Sequence, residues 1–136
     1  MEIDRSVMFI DDDSFFTDIV GNHFTRQGIA CVYAATGSTA LELLKHDPLP
    51  SAILLDVSMP DIDGFSVLKA LKSDTRTHDI PVVMFSNDAT PENKALALTL
   101  GAVDFLEKVQ TTPNDVVTFI KKTVPSLIAT EQGAAA

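Results

Sequence analysis

Three consecutive carboxylates, Asp11-Asp12-Asp13, a fourth at Asp56, a hydroxyl at Ser86 and an ammonium at Lys108 are the side chains that could do chemistry together. Each closes a short apolar run. Crowded carboxylates repel one another unless a cation neutralises them. Oxygen-only ligands suit a hard cation, and Mg2+ usually keeps waters and shares one or two carboxylates with a phosphate. A hydroxyl and an ammonium beside such a cluster make an anion site next to a cation site. Metal, positive clamp, hydroxyl donor and carboxylate nucleophile are the parts of a phosphoryl-transfer site. Taken singly, each part has an ordinary reading. The acidic run could be a solvated loop that caps a helix through Asp13 or Ser14. Ser86 alone would be a loop hydroxyl and Lys108 a surface lysine. Four acids are more than capping needs, so the joint placement carries the argument.

The elements that must position these groups are legible as alternating short apolar runs and longer helical stretches. Val7–Ile10, Ala30–Ala34, Ala52–Leu55, Pro81–Phe85 and Val103–Leu106 read as strands. Their nearly continuous apolar character suits strands buried on both faces. Ser14–Gln27 reads as a helix with Phe15, Phe16, Ile19, Val20 and Phe24 on its inner stripe and Gly28 as its stop. Ser38–Lys45 and Gly64–Lys72 read as the next two. Thr90-Pro91-Glu92 and Thr112-Pro113 give cap and first-turn signals for two more, closed by Gly101 and Pro125. The order (βα)5 predicts an α/β fold with a parallel sheet between helices. The flavodoxin-like doubly wound order 2-1-3-4-5 is the expected solution. Ligands then bind at the carboxyl ends of strands 1 and 3, where strand order reverses. Neighbouring strands lie about 4.8 Å apart, which would crowd Asp11 and Asp12 against Asp56. The expected organisation is one domain over 1–124 and a short tail or linker over 125–136, with no output domain following.

Composition narrows the class further. Hydrophobic residues make up 46% of 136, enough for one real core. A net charge of -9, with the ten basic residues scattered, argues against direct nucleic-acid binding. The single cysteine, Cys31, excludes an intrachain disulfide and suits a reducing cytoplasm, where it reads as a small buried hydrophobe. Neither a signal peptide nor an apolar run of about 20 residues is visible, so no membrane insertion is expected.

The segments Phe9-Ile10-Asp11-Asp12-Asp13, Leu54-Leu55-Asp56-Val57-Ser58-Met59-Pro60-Asp61-Ile62-Asp63-Gly64, Val83-Met84-Phe85-Ser86-Asn87 and Gly101-Ala102-Val103-Asp104-Phe105-Leu106-Glu107-Lys108 resemble the receiver domains of two-component response regulators. The resemblance covers about residues 5–124 and includes the single-domain chemotaxis-type regulators. It implies that Asp56 accepts a phosphoryl group from a histidine kinase, a histidine phosphotransfer protein or a small acyl phosphate. It implies that Asp12 binds Mg2+ directly and Asp11 through water, with Asp56 and the Ser58 carbonyl completing the protein ligands. Ser86 would turn onto the phosphoryl oxygens, Lys108 would pair with them, and Phe105 would follow Ser86 inward as the aromatic half of a switch. For Phe105 a plain core position fits equally well. Met59 and Pro60 would shape the loop, and Gly64 would let the third helix approach it. Ser58 and Asp88 occupy the positions that tune phosphoryl lifetime in such domains. The chain would be a signalling switch rather than an enzyme, with its output on helix 4, strand 5 and helix 5. An effector or output domain would read that face, and a phosphorylation-dependent dimer is compatible with it. There, if Leu96 and Leu100 face the sheet, Leu98 faces water, although an isolated exposed leucine is ordinary.

One position departs from the receiver pattern. The strand-5 lysine is normally followed by a cis proline, but Lys108 is followed by Val109. A cis bond before a non-proline residue costs about 2.5–4 kcal/mol, so a trans peptide is expected. A mobile loop and a loose or absent Lys108–Asp56 contact are expected with it. Other classes fit less well. A dehalogenase-type phosphatase needs a second acid two residues after the nucleophile, where Ser58 stands. An FMN-binding flavodoxin needs a Ser/Thr/Gly-rich first loop, where Asp-Asp-Asp-Ser stands. A partner-binding pseudo-receiver would not need the full set of acids, Ser86 and Lys108.

Overall fold

The computed structural model describes residues 2–128. Within them the chain runs β1 (Ser6–Ile10), α1 (Ser14–Arg26), β2 (Ala30–Ala34), α2 (Gly37–Leu43), β3 (Ala52–Leu55), α3 (Gly64–Ser73), β4 (Val82–Ser86), α4 (Pro91–Thr99), β5 (Asp104–Glu107) and α5 (Pro113–Thr123). Short 3-10 turns follow at Lys108–Gln110 and Pro125–Ile128. All five strands are parallel, in the order β2-β1-β3-β4-β5. This is the expected flavodoxin-like (βα)5 arrangement.

Alternation along each strand divides the interior in two. Met8 and Ile10, Ile53 and Leu55, and Met84 pack with Val67, Leu68 and Leu71 of α3 and Ala97 of α4. Val7 and Phe9, Leu54, and Val83 and Phe85 pack with Val20 and Phe24 of α1 and Val116, Val117 and Ile120 of α5. With both faces covered, the three central strands are buried throughout.

β2 differs from the expectation of a strand buried on both faces. It is the sheet edge, and Ala30, Val32 and Tyr33 are exposed with Cys31 only half-buried. The apolar run there reflects β propensity rather than burial. Phe15 likewise leaves the inner stripe of α1 and is 67% exposed, whereas Val20 and Phe24 are buried. In α4 the residue turned to the sheet is Ala97; Leu96 is exposed alongside Leu98, and Leu100 is half-buried. An alanine at the contact lets that helix lie close to the sheet and turns its leucines outward.

Local signals explain most element boundaries. Asp13 caps α1 by accepting from Phe15 N–H, and Asp63, Thr90 and Thr112 cap α3, α4 and α5. Gly28 and Gly101 end α1 and α4 with positive φ, the conformation glycine adopts at least cost. Beyond α5, Leu127 is fully buried in the α1–α5 core, and the Arg5 guanidinium donates to its carbonyl at 2.8 and 3.2 Å. The turn at Pro125–Ile128 is therefore packed on the fold. The rest of the tail, from residue 129, lies outside the described residues. Among the described residues no helix is long and apolar enough to cross a membrane.

Candidate functional site

Asp11 follows β1, Asp56 follows β3, Ser86 ends β4 and Lys108 follows β5, so four adjacent strands deliver one group each to the same end of the sheet. All four are buried: Asp11 is 8% exposed, Asp56 7%, Ser86 2% and Lys108 4%. The backbone fixes them. Asp11 N–H donates to Ala34 carbonyl at 3.0 Å and Asp56 N–H to Ile10 carbonyl at 2.9 Å, which extends the ladder to the residues that carry the chemistry.

The Lys108 ammonium bridges the two buried carboxylates. Its Nζ lies 2.7 Å from Asp11 Oδ2 and 3.3 Å from Asp56 Oδ2. The expectation of a loose or absent Lys108–Asp56 contact is thus incorrect. Two buried carboxylates hold the ammonium, and two aromatic rings flank it: Lys108 Nζ lies 5.4 Å from the Phe16 ring centroid and 5.9 Å from that of Phe85. The peptide to Val109 is trans as expected; among the described residues the cis bond is Asp47–Pro48. The Val109 N–H, a donor that a proline would lack, donates to Asn87 Oδ1 at 3.0 Å.

Burial governs the electrostatics. It pushes the Asp11 carboxyl up to about 6, with Asp56's charge adding, against the hydrogen bonds from Lys108 and from Asp13 N–H. Burial also works against the Lys108 ammonium. The hydrogen bond to Asp11 and the charges of Asp11 and Asp56 outweigh it, so the pKa stands above the usual lysine value.

Asp11, Asp12 and Asp56 each bring a carboxylate oxygen into one group whose atoms lie within 4.8 Å of each other. Three hard oxygen donors at that spacing fit a small divalent cation with waters in its remaining positions. Asp12 is exposed and forms the solvent side of the cluster. Asp13 is not part of it, being engaged as the α1 cap. Ser58 is exposed on the loop two residues beyond Asp56. The Ser86 hydroxyl accepts from Asp88 N–H at 3.2 Å. Phe105 is buried in the core on the α3–α4 side, 7% exposed.

The loop after Asp56 is held from two sides. Gly64 N–H donates to Val57 carbonyl at 2.7 Å, and a Cβ on Gly64 would stand 2.0 Å from the Asp56 carbonyl oxygen. Only glycine allows α3 to lie this close. On the other side Asp61 accepts from Gly37 N–H at 3.1 Å and Ser38 N–H at 2.9 Å, and from Ile62 N–H at 2.7 Å. Hydrogen bonds from Ser38, joined by those of Ile62 and Gly37, hold the Asp61 carboxyl far below the usual carboxylate range. Asp61 thereby ties this loop to the start of α2.

Sequence reasoning did not single out Phe16, Phe85, Asn87 or Asp61 as parts of the site. Phe16 and Phe85 read only as core residues. The signal for Asn87 was a polar side chain beside Ser86 combined with a missing proline at position 109. For Asp61 it was a carboxylate within the motif with no assigned role.

The model of the response regulator receiver domain family matches residues 7–121. The chain is 31% identical over 119 residues to the two-component response regulator ORR11 of Oryza sativa subsp. indica, covering 88% of this chain and 80% of that protein. It is 36% identical over 94 residues to a probable cyclic di-GMP phosphodiesterase of Vibrio cholerae, covering 66% of this chain but only 21% of that protein. A crystal structure of a CheY-like receiver domain protein from Methanospirillum hungatei superposes with a TM-score of 0.80, covering 93% of this chain and 96% of that one. At 21% identity, that likeness concerns the fold.

Proposed function

Because the chain belongs to the response regulator receiver family, whose members serve phosphorylation-dependent signalling, we propose that it is a two-component switch with Asp56 as its phosphoryl acceptor. The phosphoryl group comes from a histidine kinase or a histidine phosphotransfer protein. An Asp56 carboxylate oxygen attacks phosphorus in line. The new O–P bond forms as the P–N bond to the donor imidazole breaks, and the imidazole nitrogen keeps the electron pair.

Asp11, Asp12, Asp56 and the Ser58 carbonyl would hold Mg2+ at this site. Bound there, Mg2+ supplies positive charge against which carboxylates and phosphoryl oxygens can approach one another. Lys108 is the second positive group and is already directed at Asp56. Ser86 exchanges its bond with Asp88 N–H for one to a phosphoryl oxygen. Phosphorylation adds about -1.5 to -2 charges, so the phosphorylated chain favours the arrangement in which Ser86 and Lys108 both contact that group. Such differential binding is the minimum a switch requires. Phe105 follows Ser86, and the α4–β5–α5 face carries the change to an effector or output domain.

The observation that supports this most directly is the delivery of Asp56, Ser86 and Lys108, all buried, to the same end of the sheet by three adjacent strands. Intact-mass measurement after incubation with acetyl phosphate and Mg2+ tests it. One added phosphoryl group is expected, and none on Asp56→Asn. Retention of the added mass in Asp56→Asn overturns the assignment.

A further inference from the structure

We infer that Asn87 is a positioning residue for phosphoryl transfer, holding the Val109 N–H so that Lys108 stays aimed at Asp56. The inference rests on the reading of Asp56 as acceptor. Lys108 sits between two anchors. Before it, Glu107 pairs with Ser86 in the β4–β5 ladder. After it, Val109 N–H is gripped by Asn87 Oδ1 at 3.0 Å, while Thr111 Oγ1 donates to the Glu107 carbonyl at 2.8 Å across the turn. With no proline ring to restrict the backbone after Lys108, the Asn87 bond supplies the restraint from outside the loop.

The same bond has a second effect. Asn87 directly follows Ser86, so the loop that carries the hydroxyl also grips the turn that carries the ammonium. The Ser86 hydroxyl and the Lys108 ammonium are thus linked through one hydrogen bond between the residues that follow them.

Asn87→Leu removes the acceptor at similar size, and Asn87→Asp keeps it. In the full chain, Asn87→Leu should lose hydrogen-exchange protection at the Val109 amide. Its maximum rate of phosphorylation by acetyl phosphate should fall roughly three- to tenfold, the range for one net hydrogen bond. The melting temperature should fall by no more than the loss of one net hydrogen bond explains, and the acetyl phosphate concentration at half-maximal rate should stay near wild type. Asn87→Asp, assayed at high salt to screen its charge, should restore both the protection and most of the rate. The inference is overturned by an unchanged maximum rate in Asn87→Leu, or by a loss that Asn87→Asp does not restore. If the wild-type chain takes up no phosphoryl group, the assignment of Asp56 fails, and this inference fails with it.

Discussion

Lys108 Nζ stands 2.7 Å from Asp11 Oδ2, with both side chains 3% exposed. At that depth water screens the pair poorly, so the ammonium is a resident counter-charge for the acidic cluster. Removing one partner of a buried pair typically costs about 3–5 kcal/mol, because it strands the other charge. Lys108→Met should therefore lower metal-free stability by about that much at pH 7. Below pH 5 most of the loss should disappear, since Asp11 can then protonate. Urea unfolding at the two pH values checks both halves.

The raised Asp11 pKa gives a second expectation. The folded chain holds this proton more tightly than the unfolded chain, whose carboxyl titrates near its ordinary value of 3.8. Metal-free stability from this group is thus fully present below about pH 4 and is lost as pH rises through about 6. About two units at 1.36 kcal/mol each make the change roughly 3 kcal/mol. The difference in unfolding free energy between wild type and Asp11→Asn isolates it, and that difference should move against the wild type from pH 4 to pH 7.

Mg2+ should raise the melting temperature without any phosphoryl donor. A ligand that binds only the folded state stabilises it by about 2.7 kcal/mol at a hundredfold excess over Kd. Asp12→Ala removes the exposed carboxylate of the cluster, relieves repulsion and should abolish the Mg2+ shift while leaving the metal-free protein at least as stable. Differential scanning calorimetry with and without Mg2+ distinguishes these outcomes.

Gly64→Ala should damage the site through the backbone. The new methyl group would stand 2.0 Å from the Asp56 carbonyl oxygen, so α3 must move away from the acceptor loop. Overpacking of this kind costs about 1–3 kcal/mol. Chemical denaturation should register that loss, and the rate of Asp56 phosphorylation should fall with it.

Asp61→Asn keeps the size of the side chain but removes its charge and one of its two acceptor oxygens. The carboxyl is held low by hydrogen bonds from Ser38, with Ile62 and Gly37 adding theirs, so its stabilisation is present above its ordinary titration range and fades as pH falls. Amide exchange at Gly37 and Ser38 should quicken in the variant at neutral pH. Wild type should approach that behaviour in acid.

The acidic cluster, Asp56, Ser86 and Lys108 were legible because strand order dictates which residues end side by side, and strand order follows from connectivity. Caps such as Asp13 and Thr90 were legible because their partners lie two or three residues away. What escaped depends on contacts between distant segments. The Lys108 ammonium is flanked by Phe16 on α1 and Phe85 on β4, which no local pattern connects to it. The expected strand order already placed β2 at the edge, but its apolar composition read as burial on both faces, and that reading failed. In α4 the buried residue is Ala97, whereas hydrophobic spacing favoured Leu96 and Leu100.

The close seat of α3 also selects what can react. Its backbone covers the carbonyl side of Asp56, Lys108 occupies one carboxylate oxygen, and the side chain is left 9% exposed. The Asp56 side chain therefore offers little of its surface to solvent. For the proposed acceptor, a donor must bring its phosphoryl group to that small exposed area rather than to an open carboxylate. The backbone approach that shapes the loop thus also limits how the proposed acceptor is reached.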